Sequence, residues 1–232
     1  MPKKIEKNET IITIALIIIY LVSNSFCLNT FGSNDYRTAI CNILLSTIII
    51  LFILLNRLVS YYKLDKIPNP KKFLYFIPLI ILMSVNLWHG ININNTIDEI
   101  IIHIINMIGI GFLEEIIFRG FLFQMLAKDN IKTAIIVTSL TFGVGHIINL
   151  LNGADIIPTL IQVCYATATG YLFAIILYKG KSLWPCIITH IVVNSLSIFN
   201  TTTVSVLYNI GPIALIVVSL SYAIYINKTI KE

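Results

Sequence analysis

The sequence predicts an all-α integral membrane bundle of about eight transmembrane helices with both termini in the cytoplasm, and three observations carry that reading. The first is composition. Of 232 residues, 57% are hydrophobic and only 12% charged, with mean hydropathy +0.88, whereas a soluble domain carries about 25% charged residues. The second is a series of eight apolar segments, at about 11–27, 39–59, 73–88, 97–127, 131–151, 156–178, 183–199 and 204–226. Most approach the ~20 residues that cross a bilayer; the third and seventh are short. The third is charge alternation. Of the 16 Lys and Arg residues, 14 fall before the first segment or after the second, fourth, sixth and eighth. The opposite connections hold Arg37 alone, and Arg119 lies inside the fourth segment. Basic residues favour the cytoplasmic face, so both ends are placed there. The net charge of +5 therefore belongs to a membrane surface, and nucleic acid is not expected as a partner.

Taken in order, Lys3, Lys4 and Lys7 flank the first segment, and Ser23-Asn24-Ser25 offers a weak cleavage site. A secretory signal peptide competes with a retained helix here. The apolar run continues to Leu28, long enough to span, so a retained helix is the reading taken. Cysteines 27, 41, 164 and 186 lack metal-ligand spacing. Cys27 and Cys41 lie near the outer ends of adjacent helices, where a disulfide could join them, but free thiols are expected. The Pro-rich piece Ile67-Pro68-Asn69-Pro70 reads as a cytoplasmic linker. The chain divides into a hairpin and linker at 1–70, a core at 71–200 and a last helix at 201–232. In the sixth segment, Ala166 and Gly170 form a small-xxx-small spacing that lets another helix approach closely.

The fourth segment contains GFLEEIIFRGFLFQ, residues 111–124. Each charge at mid-bilayer depth costs about 2.5–3.5 kcal/mol on insertion scales, so three of them need a reason. On a helix, residues advance about 100° each, so Glu114 and Glu115 point to different faces. Glu115 and Arg119 are four apart in the order that favours an ion pair. Glu114 has no such partner. Its face continues through Glu99, His103 and Asn106 on one side and Gln124 on the other. A polar stripe of this kind faces a bundle interior or water; a polar packing seam between helices is the bland alternative.

Two further segments add to it. The fifth carries Phe142 and His146, four apart; the seventh carries His190 and Asn194, also four apart, after Pro185 in its first turn. Counted from Lys128 and Lys132, Glu114 and His146 each lie roughly 20 Å from the cytoplasmic end. Counted from Lys181, His190 and Asn194 lie about 14–20 Å in. Four polar groups from three segments can therefore meet at one depth.

Glu114-Glu115-x-x-x-Arg119, then Phe142-x-x-x-His146, then His190-x-x-x-Asn194 resemble the signature of the CAAX-protease and bacteriocin-processing (CPBP, or ABI) family of intramembrane endopeptidases. Phe118-Arg119-Gly120 and Leu183-Trp184-Pro185 match its local settings. The resemblance implies a catalytic core at about 71–200 and catalytic roles for Glu114, His146, His190 and Asn194, with Glu115, Arg119 and Phe142 in support. The chemistry of the groups agrees. Glu114 with His146 can hold and deprotonate a water, since apolar surroundings make a carboxylate a stronger base. His190 and the Asn194 amide are donors suited to an oxyanion. Metal-free chemistry is the reading taken; the alternative is Zn²⁺ on Glu114, His146 and His190. No HExxH helix is present. The expected substrate is a membrane-bound peptide or protein, such as a bacteriocin or pheromone precursor, at a bacterial plasma membrane. A catalytically idle immunity or scaffold protein and an ion-coupled transporter are the competing classes.

Overall fold

A computed structural model describes residues 3–65, 78–88, 90–201 and 210–230. The chain is 82% helical and has no strand among these residues; an isolated backbone bridge pairs Ile91 with Asn200. The helices are α1 (Lys3–Phe31), α2 (Tyr36–Leu55), α3 (Leu79–Ser84), α4 (Ile97–Glu115), α5 (Phe123–Ala127), α6 (Ile131–Gly145), α7 (Ile148–Leu151), α8 (Ile156–Gly180), α9 (Trp184–Leu196) and α10 (Ile210–Thr229).

Among the described residues six helical stretches, not eight, are long and apolar enough to cross a membrane: Ile5–Phe31, Tyr36–Leu55, Ile97–Ala127, Ile131–Leu151, Ile156–Gly180 and Ile210–Thr229. The seventh segment falls short because α9 has 13 residues before a 3₁₀ turn at Ser197–Phe199. At 1.5 Å per residue that is about 20 Å, against about 30 Å of hydrocarbon. The third segment is described only from residue 78, where α3 and a 3₁₀ turn at Val85–Leu87 are both brief. The linker at 67–70 lies outside the described residues.

Burial ranks the helices. The Ile97–Ala127 stretch is more than half buried and forms the centre, packed against α2 on one side and α9 on the other. Stretches such as Ile11, Ile14, Ile18 and Val22 on α1 stay exposed, as side chains facing lipid do. Two glycines set the distances that matter for the site. A Cβ on Gly111 would lie 2.7 Å from the Ile191 side chain on α9, so α4 and α9 touch backbone to backbone. A Cβ on Gly143 would collide with Thr167 and lie 2.8 Å from the Val163 carbonyl, so α6 and α8 are equally close. Small residues permit such contacts where no hydrophobic effect drives helices together.

The fifth segment is not one unbroken helix. α6 ends at Gly145, and His146 caps it with its N–H turned to the Gly143 carbonyl. At the far connection, Arg37 is less alone than its sequence suggests. Its guanidinium pairs with Asp35 at 2.8 Å, and that hydrogen bond holds the Asp35 carboxyl down to about 2. The four cysteines are free thiols, Cys27 and Cys41 included.

Candidate active site

α4 starts with a capping box. Thr96 accepts from the Glu99 N–H while Glu99 returns a carboxylate to the Thr96 N–H at 2.7 Å. Glu99 is thereby exposed at the helix start and is no part of an inward polar stripe. The pattern Thr-x-x-Glu ahead of an apolar run is the sequence signal that identifies it. After Glu115 the helix widens into π turns over Ile116–Leu122, all seven residues buried. The wider turn shifts the register, so Gln124 at the start of α5 no longer follows the Glu114 face. π-turns inside α-helices are frequent at functional sites.

His103 and Asn106, the other members of the expected stripe, face neighbouring helices. His103 Nε2 lies 3.1 Å from the Asn194 carbonyl and Nδ1 lies 3.3 Å from Asn34 Oδ1. Asn106 donates to the Ser33 carbonyl at 2.9 Å and accepts from Asn42 Nδ2 at 2.8 Å. This part of the stripe is a packing seam.

Glu114, His146, His190 and Asn194 line one cavity of about 370 Å³, together with Phe142. A second pocket of about 50 Å³ is also lined by Glu114, Phe142 and His146, with Tyr20, Asn149 and Asn152 around it. That volume and its polar walls suit ordered water. The Glu114 carboxylate and the His146 imidazole thus stand between a large chamber and a small polar one, and His190 lines the large chamber.

Two contacts differ from the sequence expectation. Glu114 has no partner on its own helix but is braced from two others. Tyr20 on α1 donates to its Oε1 at 2.6 Å, and His190 Nε2 lies 3.3 Å from its Oε2. Glu115 is not confined to its ion pair. Its Oε1 accepts from Arg119 Nη1 at 3.1 Å and also from His190 Nδ1 at 2.8 Å. The imidazole is strung between both glutamates, and the shorter contact puts a proton on Nδ1. Glu115 and Arg119 are fully buried.

Phe142 organises the aromatic side. The Arg119 guanidinium lies 4.0 Å over its ring, and the rings of His146 and His190 stand edge-on to it at 5.4 and 5.8 Å. Arg119 Nε and Nη2 have no hydrogen-bond partner among the described residues, so this cation–π contact is where much of the guanidinium faces. Gly170 sits behind them. A Cβ there would lie 2.9 Å from Arg119 Nη2 and 3.3 Å from Phe142 Cδ1. The Ala166/Gly170 face is therefore more than a packing face: enlarging Gly170 presses directly on the site.

Among the described residues no group of three or more His, Cys, Asp or Glu side chains is placed to hold a metal ion. Tyr20 escaped sequence reasoning altogether. A tyrosine in an apolar helix reads as an interfacial anchor, and its partner is 94 residues away.

Residues 95–196 match a family model described as Rce1-like, type II CAAX prenyl endopeptidase Rce1-like. The matched segment is under half of the chain and contains Glu114, Glu115, Arg119, Phe142, His146, His190 and Asn194. The likeness to CAAX proteases seen in the motifs holds for this segment, and it implies a protease embedded in a membrane. α1, with Tyr20, lies outside it. No curated protein and no solved structure matches the chain.

Proposed function

We propose that this protein is a glutamate-dependent intramembrane endopeptidase that hydrolyses a peptide bond in a membrane-associated peptide or protein. The observation that carries the reading is the single cavity on which Glu114, His146, His190 and Asn194 converge from α4, the end of α6, and α9. Glu114 and His146 hold the water and take its proton. The resulting hydroxide attacks the scissile carbonyl, and the proton passes to the leaving amine. Asn194 offers its amide to the developing oxyanion, and His190, with one proton held on Nδ1 by Glu115, offers a second donor from Nε2 in its imidazolium form; such donors are worth about 2.7–4 kcal/mol each in other hydrolases. Glu115 orients His190 through Nδ1, much as a buried carboxylate orients a catalytic imidazole.

The cavity walls support an uncharged, largely apolar substrate segment. Apart from the site residues, they carry Leu82, Val85, Ile110, Val193 and Leu215 with the amides Asn86 and Gln162. Amides can hold a peptide main chain; nothing there complements a charged side chain. A bacteriocin or pheromone precursor at a bacterial plasma membrane fits that chemistry, and the distribution of basic residues supports cytoplasmic termini.

The test is turnover of a membrane-peptide library by the purified protein, with Glu114→Gln as control and a zinc chelator as a second arm. Cleavage that survives the chelator and disappears in Glu114→Gln is expected. Cleavage stopped by the chelator and restored by Zn²⁺ would overturn the assignment of water to Glu114 and His146. No cleavage at all, from protein that still binds peptide, would move the reading to an idle immunity or scaffold role.

A further inference from the structure

We propose that Tyr20, on the first helix, is a positioning residue of the active site: its hydroxyl fixes the Glu114 carboxylate in the orientation that meets the water. The inference rests on the endopeptidase reading above. It adds a residue from a helix outside the segment that carries the protease likeness.

The geometry is specific. Tyr20 is 2% exposed, and its hydroxyl donates to Glu114 Oε1 at 2.6 Å. With Oε2 facing His190, both oxygens of the carboxylate are held, one from α1 and one from α9. A carboxylate with one tethered oxygen swings about its last torsion, which is broad for an sp³–sp² bond. With both held, it does not. The small polar pocket lies at this point, lined by Tyr20 and Asn24 from α1 and by Glu114 and His146. The hydroxyl therefore does two things at one place. It orders the base, and it forms a wall of the chamber that suits the water.

A merely structural reading is available, since any hydrogen bond from α1 to the core would tether that helix. The molecule contains its own control. Tyr61, beyond the end of α2, donates to Glu9 on α1 with the same 2.6 Å geometry, and Lys128 joins the same carboxylate. This second phenol–carboxylate bond also ties α1 down, but neither Tyr61 nor Glu9 lines either cavity.

The experiment compares Tyr20→Phe with Tyr61→Phe in the full-length protein, reading kcat, KM and Tm on one cleaved peptide. Tyr20→Phe should lower kcat on the order of tenfold to a hundredfold, the scale of a misplaced catalytic group. KM should stay within about twofold, because substrate binding is untouched. Tyr61→Phe should lose as much Tm as Tyr20→Phe while keeping its kcat. Equal kcat in both variants, or losses that track Tm in both, overturns the proposal. If Tyr20→Phe melts too low to assay at the working temperature, kcat per folded molecule is read well below its Tm for both variants; a Tyr20→Phe value equal to that of the starting protein overturns the proposal. Glu114→Gln run in parallel separates the two levels. An active Glu114→Gln sinks the endopeptidase mechanism itself, whereas a dead Glu114→Gln beside a wild-type Tyr20→Phe sinks this inference alone.

Discussion

His103 and Asn106 sit about two to three turns before Glu114 and Glu115 on α4, and in the sequence all four are polar groups in one apolar helix. Their surroundings separate them. His103 and Asn106 are bonded to Asn34, Asn42, Ser33 and the Asn194 carbonyl, and neither lines the large cavity. Glu114 is held just as firmly, by Tyr20 and His190, yet it faces two cavities at once. Polarity inside a membrane helix thus marks an interior face, not a function. What marks function is a held group that still looks into space where another molecule can sit. Glu115 stands between the two kinds: fully buried and ion-paired like a seam residue, yet bonded to the His190 imidazole.

The largest expected effect tests the cavity side of that contrast. Glu114→Gln keeps the size of the side chain and can still accept the Tyr20 hydroxyl on its amide oxygen. It removes the base, so the cleavage rate should fall at least about a hundredfold to ten-thousandfold, the range general bases contribute. Tm should move by no more than a few degrees. A variant that cleaves normally would dissolve the distinction between the two clusters.

Glu115→Gln should strike both properties. Removing one partner of a buried pair strands Arg119, at roughly 3–5 kcal/mol, and loosens His190 as well. Adding Arg119→Met should return part of the stability, because both charges leave together. It should not return activity, because His190 Nδ1 still lacks its carboxylate. Thermal melts and cleavage rates on the single and double variants check this. Recovery of both would make Glu115 a seam residue after all.

How much of this could be read from the chain follows from how local each contact is. The helices, the i,i+4 pair of Glu115 with Arg119, and the depth at which Glu114, His146 and His190 could meet all depend on spacing within a segment. Glu99 was also locally encoded, since Thr96-x-x-Glu99 is a capping pattern, but counting it into a stripe hid that. The π turns at Ile116–Leu122 have no comparable local signal, so the position of Gln124 was not legible. The span count is not confirmed at α9, where a 13-residue helix can sit inside a bundle when Gly111 lets it touch α4 directly. Tyr20 and the partners of His103 were out of reach, since those bonds join residues 69 to 94 positions apart.

Gly170→Leu brings a smaller effect that sharpens the boundary of the site. Overpacking typically costs 1–3 kcal/mol, so a drop of about that size in stability is expected. The added side chain would push on Arg119 and Phe142, and Phe142 is the ring against which both histidines stand. Activity at a temperature where the variant is fully folded should therefore also fall, by around tenfold for a displacement well under 1 Å. A folded Gly170→Leu with full activity would show that the aromatic side of the cavity can shift without consequence.

The smallest effect belongs to the seam. Asn106 is fully buried and makes two bonds, to the Ser33 carbonyl and from Asn42. Asn106→Leu removes both while keeping the number of side-chain heavy atoms. In the dry interior of a soluble protein a stranded amide is costly to leave unpaired, but interhelical hydrogen bonds in membranes average only about 0.6 kcal/mol, with a maximum near 1.7. Asn42 keeps a second acceptor, Asn24 Oδ1, at 3.1 Å, so its amide is not abandoned. The expected cost is therefore about 1 kcal/mol, or a Tm lower by roughly 2–4 °C for a chain of this size. The hydrogen-bonded path from Asn106 towards the site passes through Asn42 to Asn24, which lines both cavities but is not part of the proposed chemistry. Hence kcat and KM should stay within about twofold of the starting protein. The opposite pattern, an unchanged melt with lost cleavage, would mean that the seam transmits to Glu114 and that the two clusters on α4 act as one.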